Sequence, residues 1–384
     1  MAGKKLYTIL VTGQPDMFGT LDRYLGRSIL ATSLLVLLTL VSLAGMFAFI
    51  SELEDVGKGQ YTAGAAAQYI LLTLPGVAYV LFAPAVLLGS LLGLGTLAAN
   101  SELTVMRAAG VSVGRIVRSV LLTGIALTIV VAVFGETVMP RTEQIAEELR
   151  LNALEERLTS SGSSSVWVRS GKQYINIATV MPDLTLLGVT VHTFREQSLI
   201  QSLNAARALR NGSNDWLLED IRISKFTEDG VVTQQQQSET WSDLSRSFND
   251  QNQPTTLISP ELIKTLSVSN ESLSARNLYN QVRYLRENQL ESKRTELSFW
   301  QKITSPLSTL VMLMLSLPFV FGSQRSGSAG QRIFVGILLG IVYVLVNKLL
   351  TQLALNAGFS PAISAVLPLI LFLLISIIGI QRSA

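Results

Sequence analysis

Six stretches of the chain, about 28–50, 79–99, 116–139, 303–321, 333–353 and 362–380, are almost unbroken runs of apolar residues, and Gly, Pro or charged residues bound each one. A helix needs about 20 such residues to cross a hydrocarbon core of roughly 30 Å, so each window is long enough to span a bilayer. Apolar residues run all round each window rather than along one stripe, as helices that face both lipid and one another require. The second window is preceded by AGAAAQYILLTLPG, an amphipathic lead-in that Pro75 and Gly76 are expected to interrupt.

Between the third and fourth windows the pattern changes. Residues 143–297 are polar, rich in Ser, Asn and Gln, and marked by short alternating runs. VWVRSGKQYINIA reads as two strands turning at Ser170 and Gly171, LLGVTVHTF as another, and IRISKFTEDGVVT as a hairpin around Asp229-Gly230. Strands in succession, without helices between them, predict an antiparallel sandwich or open roll. Two charged helical stretches flank this region, TEQIAEELRLNALEERL before it and SARNLYNQVRYLRENQLESKRTEL after it, and both are expected to be stalks.

Composition fits this pattern: 48% of the 384 residues are hydrophobic and only 15% are charged. A chain folding in water would struggle to keep that balance off its surface. Short-loop Lys and Arg set the orientation. Arg23 and Arg27, Arg107, Arg115 and Arg118, Arg325 and Arg332, and Arg382 all fall on one side, so both termini are expected in the cytoplasm and the 143–297 insert in the periplasm of a bacterium. Residues 1–16 read as a tail, with Met17 a candidate start of translation. The expected divisions are then 17–142 for the first three helices, 143–297 for the insert and 298–384 for the last three.

A net charge of +3 with dispersed basic residues gives no footprint for nucleic acid. With no Cys and only His192, neither a thiolate nucleophile nor a Cys- or His-rich metal site can form. His192 reads as an exposed strand residue, and Trp167, Trp216 and Trp241 as fillers of the insert's core, whereas Trp300 lies where a membrane edge is expected. There is no GxxxxGK[ST] loop to cradle a nucleotide, so any ATP-driven step requires a separate partner.

Between the second and third windows, ANSELTVMRAAGVSVGR predicts a short helix over about 100–110, starting at Asn100 or Ser101 and stopping at Gly110. Helical spacing puts Glu102, Val105, Met106 and Ala109 on one face, which suits either a groove in a partner protein or the headgroup layer. Charges near the outer helix ends, Glu52, Glu54, Asp55, Glu136, Lys302 and Lys348, could form a polar collar around a periplasmic mouth or act as ordinary interfacial anchors.

Several segments resemble one family, the lipopolysaccharide export permeases LptF and LptG: the opening FGTLDRYLGRSI, the stretch PAVLLGSLLGLGTLAANSELTVMRAAGVS and the fourth helix LSFWQKITSPLSTLVMLMLSLPFVFG. The likeness extends to essentially everything after Met17, and the LptG branch is the more similar. It implies an α-helical membrane protein with six transmembrane helices and an inserted periplasmic β-jellyroll domain. It also implies an inner-membrane subunit of an ABC transporter without catalytic residues or cofactor. The implied partners are an LptF-type permease, a dimeric LptB-type ATPase, an LptC-type single-span protein and an LptA-type periplasmic bridge, which together move lipopolysaccharide toward the outer membrane. The same likeness makes 100–110 a coupling helix, with Glu102 its acidic residue and Leu103, Met106 and Arg107 beside it. Arg150 matches a basic residue expected to meet lipid phosphates; Lys58, Glu136 and Lys302 are further candidates for substrate contact.

One departure stands out. FAFISELEDVGKG puts Glu52, Glu54 and Asp55 where the family carries cationic residues, leaving Lys58 beyond them. Lys58 and Arg150 could then serve, divalent cations could bridge acid to phosphate, or a partner subunit could carry the charge. Two rival readings are a lipoprotein-type ABC permease, whose usual count is four spans, and a non-transporting membrane scaffold with a recruiting domain.

Overall fold

The computed structural model describes residues 19–154, 166–170, 173–181, 185–195, 198–211, 215–227, 230–248, 270, 273–288, 290–321 and 329–383. The expected tail 1–16 and Met17 lie outside them. Helix α1 is Thr20–Glu52, α2 is Ala63–Ala99, α3 is Glu102–Ala108 and α4 is Val113–Ala153. Six strands follow: β1 Val166–Ser170, β2 Gln173–Val180, β3 Leu186–Arg195, β4 Ser198–Asn211, β5 Asp215–Thr227 and β6 Gly230–Thr240. Then come α5 Trp241–Phe248, α6 Ala275–Glu287, α7 Lys293–Phe321, α8 Ala329–Asn356 and α9 Pro361–Ser383. Among the described residues six helices, α1, α2, α4, α7, α8 and α9, are long and apolar enough to cross a membrane.

Each apolar window lies inside one of these helices, but the helices are longer. Helix α2 runs unbroken through Pro75 and Pro84, which corrects the expected interruption. A proline in such a helix is tolerable where neighbouring helices pack around the freed backbone groups. Here α4 closes on that spot: a Cβ at Gly76 would sit 2.0 Å from the Glu143 carboxylate. Helix α4 likewise continues through Pro140, so the third window and residues 142–153 of the first stalk are a single helix of 41 residues, the last four stalk positions lying outside the described residues. At about 60 Å it is twice the thickness of a hydrocarbon core. The second stalk, by contrast, breaks in two, because Asn288 ends α6 by donating from its side chain to the Tyr284 carbonyl (2.9 Å) before α7 begins at Lys293.

The bundle centres on α2, which packs against α1, α4, α7 and α8, while α7 packs on α9. Without a hydrophobic drive in lipid, close backbone approach and hydrogen bonds hold such helices together. The α1–α2 contact uses both. A Cβ at Gly89 would stand 2.3 Å from the Ser33 Cα, and Thr32 donates across the interface to the Gly89 carbonyl at 2.7 Å. One apolar cluster at the arginine-bearing end joins Leu25 and Ile29 of α1, Leu94 and Leu97 of α2, Ile116 and Val120 of α4, and Leu313 and Leu317 of α7.

The insert is a meander in the order β1-β2-β3-β4-β5-β6, with every pair antiparallel. Strand alternation puts one apolar row straight across it: Val168, Ile175, Val191, Leu203 and Ile223 are successive register partners. All five are buried. The row ends on β6, where Ile223 faces Gln234, and β6 is exposed along nearly its whole length. Trp216, Trp241 and Leu244 join the same core, with Tyr284 of α6 packed against it. Burial pushes the Tyr284 phenol up to about 12, and its hydroxyl donates to the Arg169 carbonyl at 3.1 Å. Trp167 does not fill the core as expected. It lies on the opposite face of β1, 56% exposed, with its ring stacked near that of the partly covered His192.

Candidate functional site

The expected site residues gather at the two ends of the bundle. At the end that carries Arg23, Arg27, Arg107, Arg115 and Arg118, α3 forms a short step between α2 and α4. Ser101 takes a left-handed turn (φ 62°) to let the chain leave α2, and Gly110 (φ 93°) ends the step, as the sequence leads one to expect of a glycine there. The helix is anchored by its second residue. Leu103, 3% exposed, enters the cluster around Leu25 and Ile116, and Met106 packs at its border. Leu103 therefore faces its own bundle, while Thr104, Val105, Arg107, Ala108 and Ala109 are exposed and Glu102 and Met106 are partly covered. The outward surface is rotated from the Glu102, Val105, Met106 and Ala109 face expected from spacing, because the largest apolar side chain in the first turn claims the interior.

Two polar contacts tie this step to α1. The Tyr24 hydroxyl donates to Glu102 Oε2 at 2.6 Å. The buried Asp22 carboxylate accepts from Arg115 Nη2 at 3.0 Å, from the Gly19 amide at 2.9 Å and from the Ser119 hydroxyl. Sequence reasoning missed both Tyr24 and Asp22. Their partners lie 78 and 93 residues away, and only the LDRY segment of the opening motif marks them.

At the other end the expected collar is tightly paired. Arg150, near the end of α4, donates through Nε to Glu52 at 2.8 Å and through Nη2 to Asp55 at 2.7 Å, and its guanidinium lies 5.6 Å from the Tyr69 ring centre. Lys58 pairs with the other oxygen of Asp55. Tyr61 donates to Glu52 at 2.9 Å; burial and that bond together push its phenol well above the ordinary range, so it stays a donor. The backbone joins in, with the Gln60 amide bonded to the Ala153 carbonyl at 2.9 Å. The loop between α1 and α2 is thus clamped to the far end of α4.

Lys302 and Glu136 sit elsewhere. Lys302, in α7, places its ammonium 4.9 Å from the Tyr79 ring centre and 3.0 Å from the Met139 sulfur. Glu136 receives the Ala275 and Arg276 amides at 2.9 and 3.4 Å, where an anion offsets the positive end of α6. Lys348 is exposed on the outer surface of α8, among Leu345 and Leu349. Among the described residues no cluster of His, Asp and Glu has a metal-ligating arrangement.

Residues 23–382 match the family described as lipopolysaccharide export system permease LptF/LptG. The chain belongs to that family. Two relatives extend the match: the lipopolysaccharide export system permease protein LptG of Haemophilus influenzae is 34% identical over 359 residues, 93% of this chain and 97% of the relative. The protein of the same name from Escherichia coli is 34% identical over 370 residues, 96% and 99% of the two chains. LptF/LptG membership accounts for the architecture just described: six membrane-length helices in two groups of three with a folded β insert between them.

Proposed function

We propose that this chain is the LptG-type permease subunit of an ABC transporter that takes lipopolysaccharide from the outer leaflet of the bacterial inner membrane toward the outer membrane. The observation that carries the reading is similarity over nearly the full length to relatives named lipopolysaccharide export system permease protein LptG. On this reading both termini and α3 are cytoplasmic and the β insert is periplasmic. The insert acts as a jellyroll whose apolar row can shield acyl chains as they pass to an LptC-type protein and an LptA-type bridge. An LptF-type permease covers the faces this chain leaves open: only 17% of the α1 span and 6% of the α8 span are buried within it.

No catalytic step falls to this chain; ATP hydrolysis belongs to a dimeric LptB-type ATPase that grips α3. Glu102 carries that contact through its carboxylate and Arg107 lies beside it, while Met106 borders it and Leu103 braces the helix from within. Arg150 and Lys58 reach lipid phosphate by exchange, since each holds an acid that a phosphate would have to displace. Lys302 and Glu136 line the same end. Two experiments test the reading. Depleting the protein should trap lipopolysaccharide in the inner membrane, and undiminished surface lipopolysaccharide after full depletion would reject it. Glu102→Lys should release the ATPase while the permease stays folded; an ATPase subunit that still copurifies in full would remove Glu102 from the contact.

A further inference from the structure

Of the residues at the cytoplasmic step, Tyr24 makes a contact that the coupling role of Glu102 leaves unexplained. Tyr24 is 47% exposed, so the residue is not there to fill a core, yet its hydroxyl reaches across 78 positions of sequence to Glu102 Oε2 at 2.6 Å. The neighbouring residues repeat the pairing in apolar form: Leu25, fully buried, and Leu103 occupy the same cluster. One turn of α1 and the first turn of α3 are therefore joined by a hydrogen bond on the surface and share one apolar cluster beneath it. On the other side of the step, Asp22 holds Arg115 and Ser119 at the start of α4. Helix α1 thus holds both the first turn of α3 and the start of the α4 helix that follows it.

We propose that Tyr24 is a positioning residue that fixes the Glu102 carboxylate and passes displacement of α3 to α1. The phenol occupies one carboxylate oxygen and so limits the rotamers of Glu102, leaving Oε1 as the oxygen for a cation to take. Any force on α3 then reaches α1 directly, without first travelling along α2 or α4. Helix α1 is one of the two spans least covered within this chain, so away from its seam with α2 it can pass such a push to lipid or a partner. This inference rests on the proposed coupling contact of Glu102 and adds to it a second half of the joint.

The test uses the reconstituted transporter with its ATPase in proteoliposomes, reading lipopolysaccharide released per ATP hydrolysed. Tyr24→Phe removes one oxygen and keeps the ring. It should leave assembly, melting temperature and ATP hydrolysis near those of the unaltered protein while the lipopolysaccharide-to-ATP ratio falls at least about fivefold, the lower end of coupling between linked sites. Glu102→Gln keeps an acceptor for the phenol and loses the charge. It should weaken ATPase binding, yet the complexes that do assemble should retain the normal ratio. A normal ratio in Tyr24→Phe overturns the role given to Tyr24. Undiminished ATPase binding in both Glu102→Gln and Glu102→Lys instead overturns the coupling contact beneath it, so the two failures are distinguishable.

Discussion

Arg150 illustrates what a single side chain does at the end of the bundle away from α3. It is about one-third exposed and holds two carboxylates, one at the end of α1 and one in the loop after it, that lie 95 to 98 residues earlier in the chain. A partly covered bidentate cluster lies between an exposed pair, which contributes little, and a buried one, whose disruption leaves a charge stranded. Arg150→Ala should therefore destabilise the protein by about 1–2 kcal/mol, and Arg150→Ala combined with Glu52→Ala by less than the sum of the two single changes. Thermal unfolding of the purified protein in detergent measures both. Unchanged melting in Arg150→Ala, with loss of crosslinking to lipopolysaccharide, would make this arginine a lipid ligand and nothing more. The opposite charges were plain in the sequence, as Glu52, Glu54 and Asp55 near Lys58. That Arg150 answers them was not, because no local pattern signals a pairing made by the tip of one helix with the loop between two others.

At the scale of elements, what could be read from sequence divides by the kind of force involved. The six spans were legible because hydrocarbon demands a long apolar run, and a run is a local property. Their ends were not: Pro75 and Pro140 carry the signal of a break, yet packing from neighbouring helices overrides it. Strand β4 went unread. Its sequence SLIQSLNAARALRN, with three alanines and two arginines, favours a helix locally, and only pairing on both sides with β3 and β5 makes it a strand. The α1–α2 seam is equally hidden, since a glycine in an apolar helix looks like mere tolerance until the opposing backbone is placed. Gly89→Leu should prevent that seam from closing, because even its Cβ meets the Ser33 backbone at 2.3 Å. We expect overpacking to cost about 1–3 kcal/mol or more, seen as reduced yield and a lower melting temperature. Normal yield and melting would mean that the two helices stand further apart.

For the whole molecule, the arrangement of three spans, an insert and three spans fixes an even number of crossings, so the two ends of the chain share a side. The absence of cysteine makes this directly measurable. Single cysteines at Glu54 and Gln235 should react with an impermeant maleimide added to intact spheroplasts, and one at Arg107 only after lysis. Labelling of the Arg107 position from outside would invert the proposed orientation and with it the side on which an ATPase could dock.

The 41-residue α4 is also a lever. It starts beside the short α3 step and ends, about 60 Å away, in the clamp on the α1–α2 loop. A boom of that length pivoting near its inner end by about 5° sweeps its outer tip through roughly 5 Å. Because the tip is bolted to the loop, the outer end of α1 must swing with it. A small rocking at the α3 end would thereby be geared up into a wider excursion at the opposite end of the bundle.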